Sequence, residues 1–314
     1  MPGKRLSVLI GVPSFRRPGG LRKLLNSIEA QQGLGEFSIN VFVADNDPQE
    51  HEAYDLVAEL ASGFPWPLRC EIVAEPGISA ARNAILDQAR DSAVDFIAMI
   101  DDDEVAEPCW LRELLACQGR FEADIVGGPV DFDFEEQPSI SVRHCGVFDV
   151  PPWSEGVVPL LHAAGNLLVR TAVLANAGWP RFDPAFGLTG GEDGDFLRRM
   201  RQANARFAWA ADAIAWENVP KARACREWVL QRSFHKGNIN MRLEQVHGGR
   251  LGTAISLGKA LVWLGSAPIS AVLLAVPSRR LWIAGKWSQS IGKLAAVLGR
   301  GYNRYGGPAM GRSI

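Results

Sequence analysis

Four strand-like runs, RLSVLIGV (5–12), SINVFVADN (38–46), LRCEIVAE (68–75) and VDFIAMI (94–100), alternate with three segments of helical period. The helical segments are GGLRKLLNSIEAQQ (19–32), EHEAYDLVAELAS (50–62) and ISAARNAILDQARDS (78–92). In the first of them Leu21, Leu24, Leu25 and Ile28 share one face. Strands that read as continuous apolar runs need cover on both sides, and helical crossovers of this length join parallel strands. The pattern therefore predicts an α/β fold: a mostly parallel sheet flanked by helices, with ligands bound beyond the carboxyl ends of the strands.

After residue 125 the alternation weakens. IVGGPVDFDF (125–134) reads as one strand, HAAGNLLVRTAVLANAG (162–178) as a strand running into a short helix, and ARFAWAADAIAWE (205–217) as strand-like. GGEDGDFLRRMRQAN (190–204) opens a helix, and residues 221–247 read as an arginine-rich one. The expected organisation is a sheet domain over residues 1–240 and a helical, apolar C-terminal extension over 241–314.

Three strand ends carry chemistry: Pro13–Arg17 after the first, Asp45–Asp47 after the second and Asp101–Asp103 after the fourth. A parallel sheet brings them to one rim. Adjacent carboxylates raise one another's pKa unless a cation or several donors neutralise them. Magnesium commonly takes one or two carboxylates together with the oxygens of a diphosphate. Asp101 and Asp103, with Asp102 between them, suit that arrangement. Taken alone, such a triplet is more often an exposed acidic turn; its place on the ligand rim reverses that and favours the cation.

A second acidic feature is TGGEDGDF (189–196). Acids that open a helix are stabilised by its dipole, which is reason enough for Asp195. The dipole lowers a carboxylate's pKa, whereas nearby phosphates and burial raise it. Asp193 is therefore a useful base only when it faces an anionic substrate. Gly190 and Gly191 give the backbone room to approach a ligand.

Taken in order, VPSFRRPGGLRKLLNSI, VADND, EPGISAARN, MIDDDEVAEPCWL, AAGNLLVRTAVLANAGWPRFDPAFG and GGEDGDFLRRM resemble the glycosyltransferase family 2 enzymes of the GT-A fold. The resemblance covers about residues 5–240. It implies an inverting enzyme that moves a sugar from a nucleotide-diphosphate donor, UDP-linked for preference, to a hydroxyl acceptor by single in-line displacement. Pro13 and Arg16 would line the nucleotide pocket, Asp45 would accept from a uracil-type base, and Arg82 would lie beside the nucleotide. Asp101 would sit near ribose and metal, with Asp102 also on the nucleotide side. Asp103 would be a direct ligand of Mg²⁺ or Mn²⁺. Asp193 would be the general base, supported by Glu192. Trp179 either stacks on the acceptor sugar or is an ordinary core tryptophan.

The chain departs from the family pattern twice. The Q-x-x-R-W motif of processive synthases is absent: in WVLQRSFHKGN (228–238) Gln231 and Arg232 are adjacent and no tryptophan follows. This argues for adding one sugar rather than polymerising. Where many relatives carry a histidine ahead of VP, this chain has WENVP, with Glu217 and Asn218, so that histidine's role is unfilled. Arg232, His235 and Lys236 are either diphosphate contacts or a solvated helix face.

A net charge of −2 offers no basic field for nucleic acid. Cys70, Cys109, Cys117, Cys145 and Cys225 form no C-x-x-C pair, which suits reduced thiols in a cytosolic setting. The short apolar run at the N-terminus, followed by Pro13 and Arg16–Arg17, reads as a first strand rather than a signal peptide.

LGTAISLGKALVWLGSAPISAVLLAVP (251–277) has Lys259 as its only ionised residue, but Pro268 and several glycines and serines interrupt it. Beyond it, Trp282 and Trp287 lie among Arg279, Arg280, Lys286, Lys293 and Arg300, a composition that suits a membrane interface. A soluble helical subdomain with a basic face is the other reading. The expectation is a protein peripheral to, or anchored in, the cytoplasmic face of the inner membrane, acting on a lipid-linked or cell-surface polysaccharide precursor. Two other classes fit less well. A nucleotidyltransferase would carry a denser glycine-rich signature than GVPSFRRPGG, and a non-catalytic binding module would not need Asp193.

Overall fold

A computed structural model describes residues 5–300; residues 1–4 and the part of the basic C-terminal stretch beyond residue 300 lie outside the described residues. The first half keeps the expected alternation: β1 (Leu6–Ser14), α1 (Pro18–Glu29), β2 (Phe37–Asp45), α2 (Glu52–Leu60), β3 (Leu68–Ile72), α3 (Ile78–Asp91) and β4 (Phe96–Ile100). β1 runs parallel to β2 and to β4, and β2 runs parallel to β3. α1 starts on Pro18, whose fixed φ suits a first helical turn, and buries Leu21, Leu24, Leu25 and Ile28.

Next come β5 (Glu104–Ala106), α4 (Trp110–Phe121), β6 (Ile125–Gly127), β7 (Val130–Phe134), α5 (Ile140–Arg143), β8 (Gly156–Val158), β9 (Asn166–Arg170) and α6 (Thr171–Asn176). α7 (Glu192–Gln202), β10 (Phe207–Trp209) and β11 (Ala215–Val219) follow. The large sheet has eight strands in the order β3-β2-β1-β4-β9-β6-β10-β8, and a smaller one has the order β5-β11-β7. β9 enters antiparallel to both β4 and β6, so the parallel rule ends where the sequence alternation fades.

Two runs expected as single strands divide. IVGGPVDFDF breaks at Gly128–Pro129 into β6 and β7, because Pro129 has no N–H for a ladder. ARFAWAADAIAWE breaks into β10 and β11, which join different sheets. α4 had no counterpart among the expected elements; it buries Trp110, Leu111, Leu114 and Leu115.

The large sheet is covered on both faces. Val8, Ile10 and Val12 pack with Leu21, Leu24, Leu25, Ile28 and Trp110. Leu9 packs with Ile85, Leu86, Phe196 and Leu197 on the other face. Each fully buried aliphatic side chain contributes roughly 1.5–3 kcal/mol.

The chain forms two compact units. One carries the large sheet and comprises the chain up to residue 131 with 151–188 and 192–217; the other comprises 132–150, 189–191 and the chain from 218 onward. The second unit contains α8 (Arg226–His247), α9 (Gly249–Gly265), the short α10 (Ala267–Ser270) and α11 (Arg280–Val297). α8 and α11 meet where Gly237 faces the backbone of Gln289 and Gly292 faces that of Phe234, with no room for a Cβ at either. Among the described residues no single helix is long and apolar enough to cross a membrane; α9 and the segment Ala267–Ala275 pass that test only as a pair bent by 52°.

Candidate active site

In the large sheet the chain steps from β1 outward to β2 and β3, then returns to β4 on the opposite side of β1. Such a switch point opens a crevice at the carboxyl ends of the two strands. The loops after β1 and β4 meet there. Asp102 accepts from Ser14 Oγ (3.0 Å), the Phe15 amide (3.0 Å) and Arg17 Nη1 (2.9 Å). The same Arg17 Nη1 lies 2.9 Å from Asp103 Oδ2. Burial pushes the Asp102 carboxyl up to about 6, with Arg17 pulling the other way.

The three acids of the triplet divide by access. The Asp102 side chain is 5% exposed, against 34% for Asp101 and 22% for Asp103. The Asp102 oxygens are taken up by the loop after β1, which they anchor to the end of β4.

The second centre of the rim is Arg82 on α3. This buried guanidinium places Nη2 3.0 Å from Asp101 Oδ1 and Nη1 2.8 Å from Glu192 Oε1. Burial alone would lower its pKa, but Asp101, Glu192 and Asp193 outweigh that and hold it raised. Burial pushes the Glu192 carboxyl up to about 7, Arg82 opposing. A salt-bridged corner thus joins the end of β4 to the start of α7, with Asp193 next to Glu192 in sequence. Asp193 Oδ1 accepts from the Gly194 amide at 2.6 Å. Asp195 turns back to Arg199, 2.7 Å away one turn on, in keeping with helix-start chemistry.

Pro13 and Asp45 close the ends of β1 and β2, in register with Ala44 and Ser14 respectively. The buried Asp45 accepts from the amides of Asp47 and Tyr54, both at 3.1 Å, and burial raises its pKa. Arg16 adopts a left-handed φ of 54° and reaches Asp47 Oδ2 at 2.7 Å. That contact holds the Asp47 carboxyl below its usual range. Of the expected residues, Asp101, Arg82 and Glu192 are in direct contact, while Pro13, Arg16 and Asp45 belong to a neighbouring stretch of the rim.

Glu104 escaped the sequence reading, and Arg17 and Asp47, named there as ends of their strand-end segments, had no role of their own. Glu104 is the fourth acid of DDDE and is buried, with Oε2 unpartnered. It pairs in register with Glu217 across β5 and β11. Burial first, then Asp101, Asp103 and Glu217, push its pKa well above the carboxylate range. A Cβ on Gly165 would sit 2.7 Å from Glu104 Oε1 and 3.1 Å from Asp101 Oδ2, so only glycine lets these acids approach that backbone. The surplus of hard oxygen donors suits a divalent cation. Among the described residues no three potential ligands converge. A cation held by Asp101 and Asp103 would therefore take further oxygens from substrate and water.

In the second unit the strap Thr189–Gly191 is gripped by α8. His235 Nε2 donates to the Thr189 carbonyl at 2.6 Å, Arg242 donates to Thr189 Oγ1, and Ile239 lies beneath Gly190. Gly190 and Gly191 have φ of 76° and 99°, a region costly for other residues. His235 is buried and spent on this strap. Trp179 packs, half-buried, against the sheet core, as an ordinary core tryptophan does.

The family model described as Glycosyl transferase family 2 matches residues 9–162. The succinoglycan biosynthesis protein ExoM of Rhizobium meliloti (strain 1021) is 34% identical over 264 residues, covering 83% of each chain. Mannosyltransferase PcManGT of Pyrobaculum calidifontis, solved with GDP-Man and Mn²⁺, shares the fold at TM-score 0.61 and 16% identity, over 95% of this chain and 89% of that one. S. aureus TarS 1-349 with UDP-GlcNAc gives TM-score 0.55 and 16% identity, over 95% and 93%. Against a longer TarS chain, this one spans 55% of its length.

Proposed function

This chain belongs to glycosyltransferase family 2 and is a glycosyltransferase, and we propose that it moves one sugar, with inversion, from a nucleotide-diphosphate donor to a hydroxyl acceptor. The acceptor oxygen attacks the anomeric carbon opposite the leaving group. The bond from that carbon to the diphosphate oxygen breaks, and the nucleoside diphosphate leaves with the electron pair. Asp193 takes the acceptor's proton, and Glu192 supports it. Arg82 keeps a positive charge in the rim, and Asp45, Pro13 and Arg16 receive the base of a UDP-linked donor. A bound Mg²⁺ or Mn²⁺, held by Asp103 with Asp101, would supply positive charge where the diphosphate gains negative charge.

The observation that carries this reading is the double contact of Arg82 with Asp101 and Glu192. It holds the acid turn after β4 and the acid start of α7 together, which supports reading them as the donor side and base side of one site. PcManGT's Mn²⁺ complex supports a divalent cation, and the UDP-GlcNAc complex of TarS supports a nucleotide-sugar donor. A relative named for succinoglycan biosynthesis supports a polysaccharide precursor as acceptor. The apolar, basic 241–314 region supports a lipid-linked one at the cytoplasmic membrane face, with residues 1–240 as the transferase domain.

The test is a donor-hydrolysis screen across UDP- and GDP-sugars with Mg²⁺, Mn²⁺ or chelator. Hydrolysis of one donor, lost on chelation and in Asp103→Ala, is expected; activity that survives both overturns the metal assignment. Asp193→Asn should bind donor yet transfer at least about 100-fold more slowly. Full transfer by that variant removes Asp193 as base.

A further inference from the structure

Helix α9 is packed the wrong way round for water. Its buried residues are Ser256 and Ala260, one turn apart. Leu251, Ile255 and Val262 fall within about 40° on the helical wheel, on the opposite side, and all are exposed. Beyond the bend Ile269 and Val272 are exposed as well, with Val262 71% and Ile269 80% exposed. A helix in water buries its large apolar residues and exposes the small or polar ones; this one does the reverse.

The charge around the face is mostly of one sign, the exception being Glu244, whose carboxylate lies beside Gly248 and Gly252. From residue 245 to the end, the sequence has nine lysines and arginines and no aspartate or glutamate. Arg250 and Lys259 flank the apolar stripe on its two sides, and Arg279 and Arg280 follow the bent pair; all four are exposed. The Trp282 ring lies under both Arg279 (5.9 Å) and Lys286 (5.4 Å) and packs edge-on to Trp263. Partial burial and the like charges of Lys259 and Lys286, opposed by Glu244, push the Lys293 pKa down, a crowding that an anionic surface would relieve.

We propose that α9 and the segment through Ala275 dock this protein in the headgroup layer of an anionic lipid bilayer, lying in its plane and not crossing it. α9 spans about 25 Å, short of the roughly 30 Å hydrocarbon core, and the chain bends by 52° immediately after it. Arg250 and Lys259 are placed to extend from the stripe's edges to lipid phosphates. A second copy of the chain would carry the same positive charge and meet repulsion here. Docking supplies the partner that a lipid-linked acceptor needs, and rests on that reading for its purpose only.

The test is flotation of the full chain with phosphatidylcholine vesicles, with and without about one-third phosphatidylglycerol. Binding to the anionic vesicles that weakens as salt rises is expected. Val262→Ser with Ile269→Ser should weaken it at least about tenfold and leave donor hydrolysis unchanged. Arg250→Glu with Lys259→Glu should remove the preference for anionic lipid. Alkaline carbonate should release the protein from cell membranes; retention would mean a span and overturn the in-plane contact. A solution dimer that Val262→Ser with Ile269→Ser dissociates would give the face to a second copy and overturn docking. Donor hydrolysis on the same preparations separates the two readings. Hydrolysis without vesicle binding sinks the docking alone, and vesicle binding without hydrolysis of any donor supports docking while sinking the donor site.

Discussion

Helices α1 and α9 both carry several leucines, isoleucines or valines, and they use them in opposite ways. α1 buries Leu21, Leu24, Leu25 and Ile28 against the sheet. α9 buries Ser256 and Ala260 and turns Leu251, Ile255, Leu261 and Val262 outward. Periodicity reports that a helix has an apolar side. It does not report whether protein or lipid covers that side. On the docking proposed above the contrast is one of medium, and it can be measured.

The largest effect expected is on stability in solution. Leu25→Ala should cost about 2–5 kcal/mol, the range for a fully buried leucine that leaves a cavity. Val262→Ala should fall within about 0.5 kcal/mol, as for exposed positions. Urea unfolding without lipid measures both. Similar losses for the two would erase the contrast and place Val262 in a core.

The next effect tests whether the rim is a strained acid site. Burial pushes Glu192 from 4.5 up to about 7. The unfolded chain therefore releases its proton at lower pH than the folded one. The stability tied to this proton is fully present below about 4.5 and is lost as pH rises through about 7. The shift corresponds to roughly 3 kcal/mol. Glu192→Gln should flatten that fall in a series of unfolding curves taken without donor or metal. An unchanged slope would mean that Arg82 keeps Glu192 ionised throughout.

The sheet half was legible because its strands are long apolar runs and its helices lie between them. β6, β8 and β10 have three residues each, too few to show a period. The rim acids were legible as types at strand ends, but their division was not. Asp102 is an anchor because Ser14 and Arg17, more than eighty residues away in sequence, close on it. Glu104 matters because β11 lays Glu217 opposite it and Gly165 leaves space. Asn166 was visible only as part of a motif. In the fold it accepts from Trp110 Nε1 and donates to the carbonyls of Pro129 and Ala213, stitching together segments that no local pattern connects.

His235 gives the third prediction, and it sharpens the comparison inside the helical unit. α8 buries a polar group that is satisfied, through the bond to the Thr189 carbonyl. His235→Ala should cost about 1–3 kcal/mol by leaving that carbonyl unpaired, and His235→Gln should recover part of it through its amide. Because the strap runs directly into Glu192 and Asp193, the alanine variant should also lower kcat more than donor KM. Equal changes in both would confine His235 to a structural role.

The smallest effect has the opposite sign to that of Glu192, which is its value. Lys293 is only partly buried, and burial and the like charges of Lys259 and Lys286 push its pKa down from 10.5. The folded protein then loses this proton before the unfolded chain does. Stability tied to it should rise as pH climbs toward about 10.5, by less than about 1 kcal/mol given solvent screening. Lys293→Gln should remove that rise, read from unfolding curves on the alkaline side. Anionic vesicles should remove it too, because lipid phosphates favour the charged lysines that the free protein crowds together. The sheet half would then lose stability with rising pH and the helical half would gain it. A rise that persists unchanged with anionic vesicles bound would place these lysines away from the lipid.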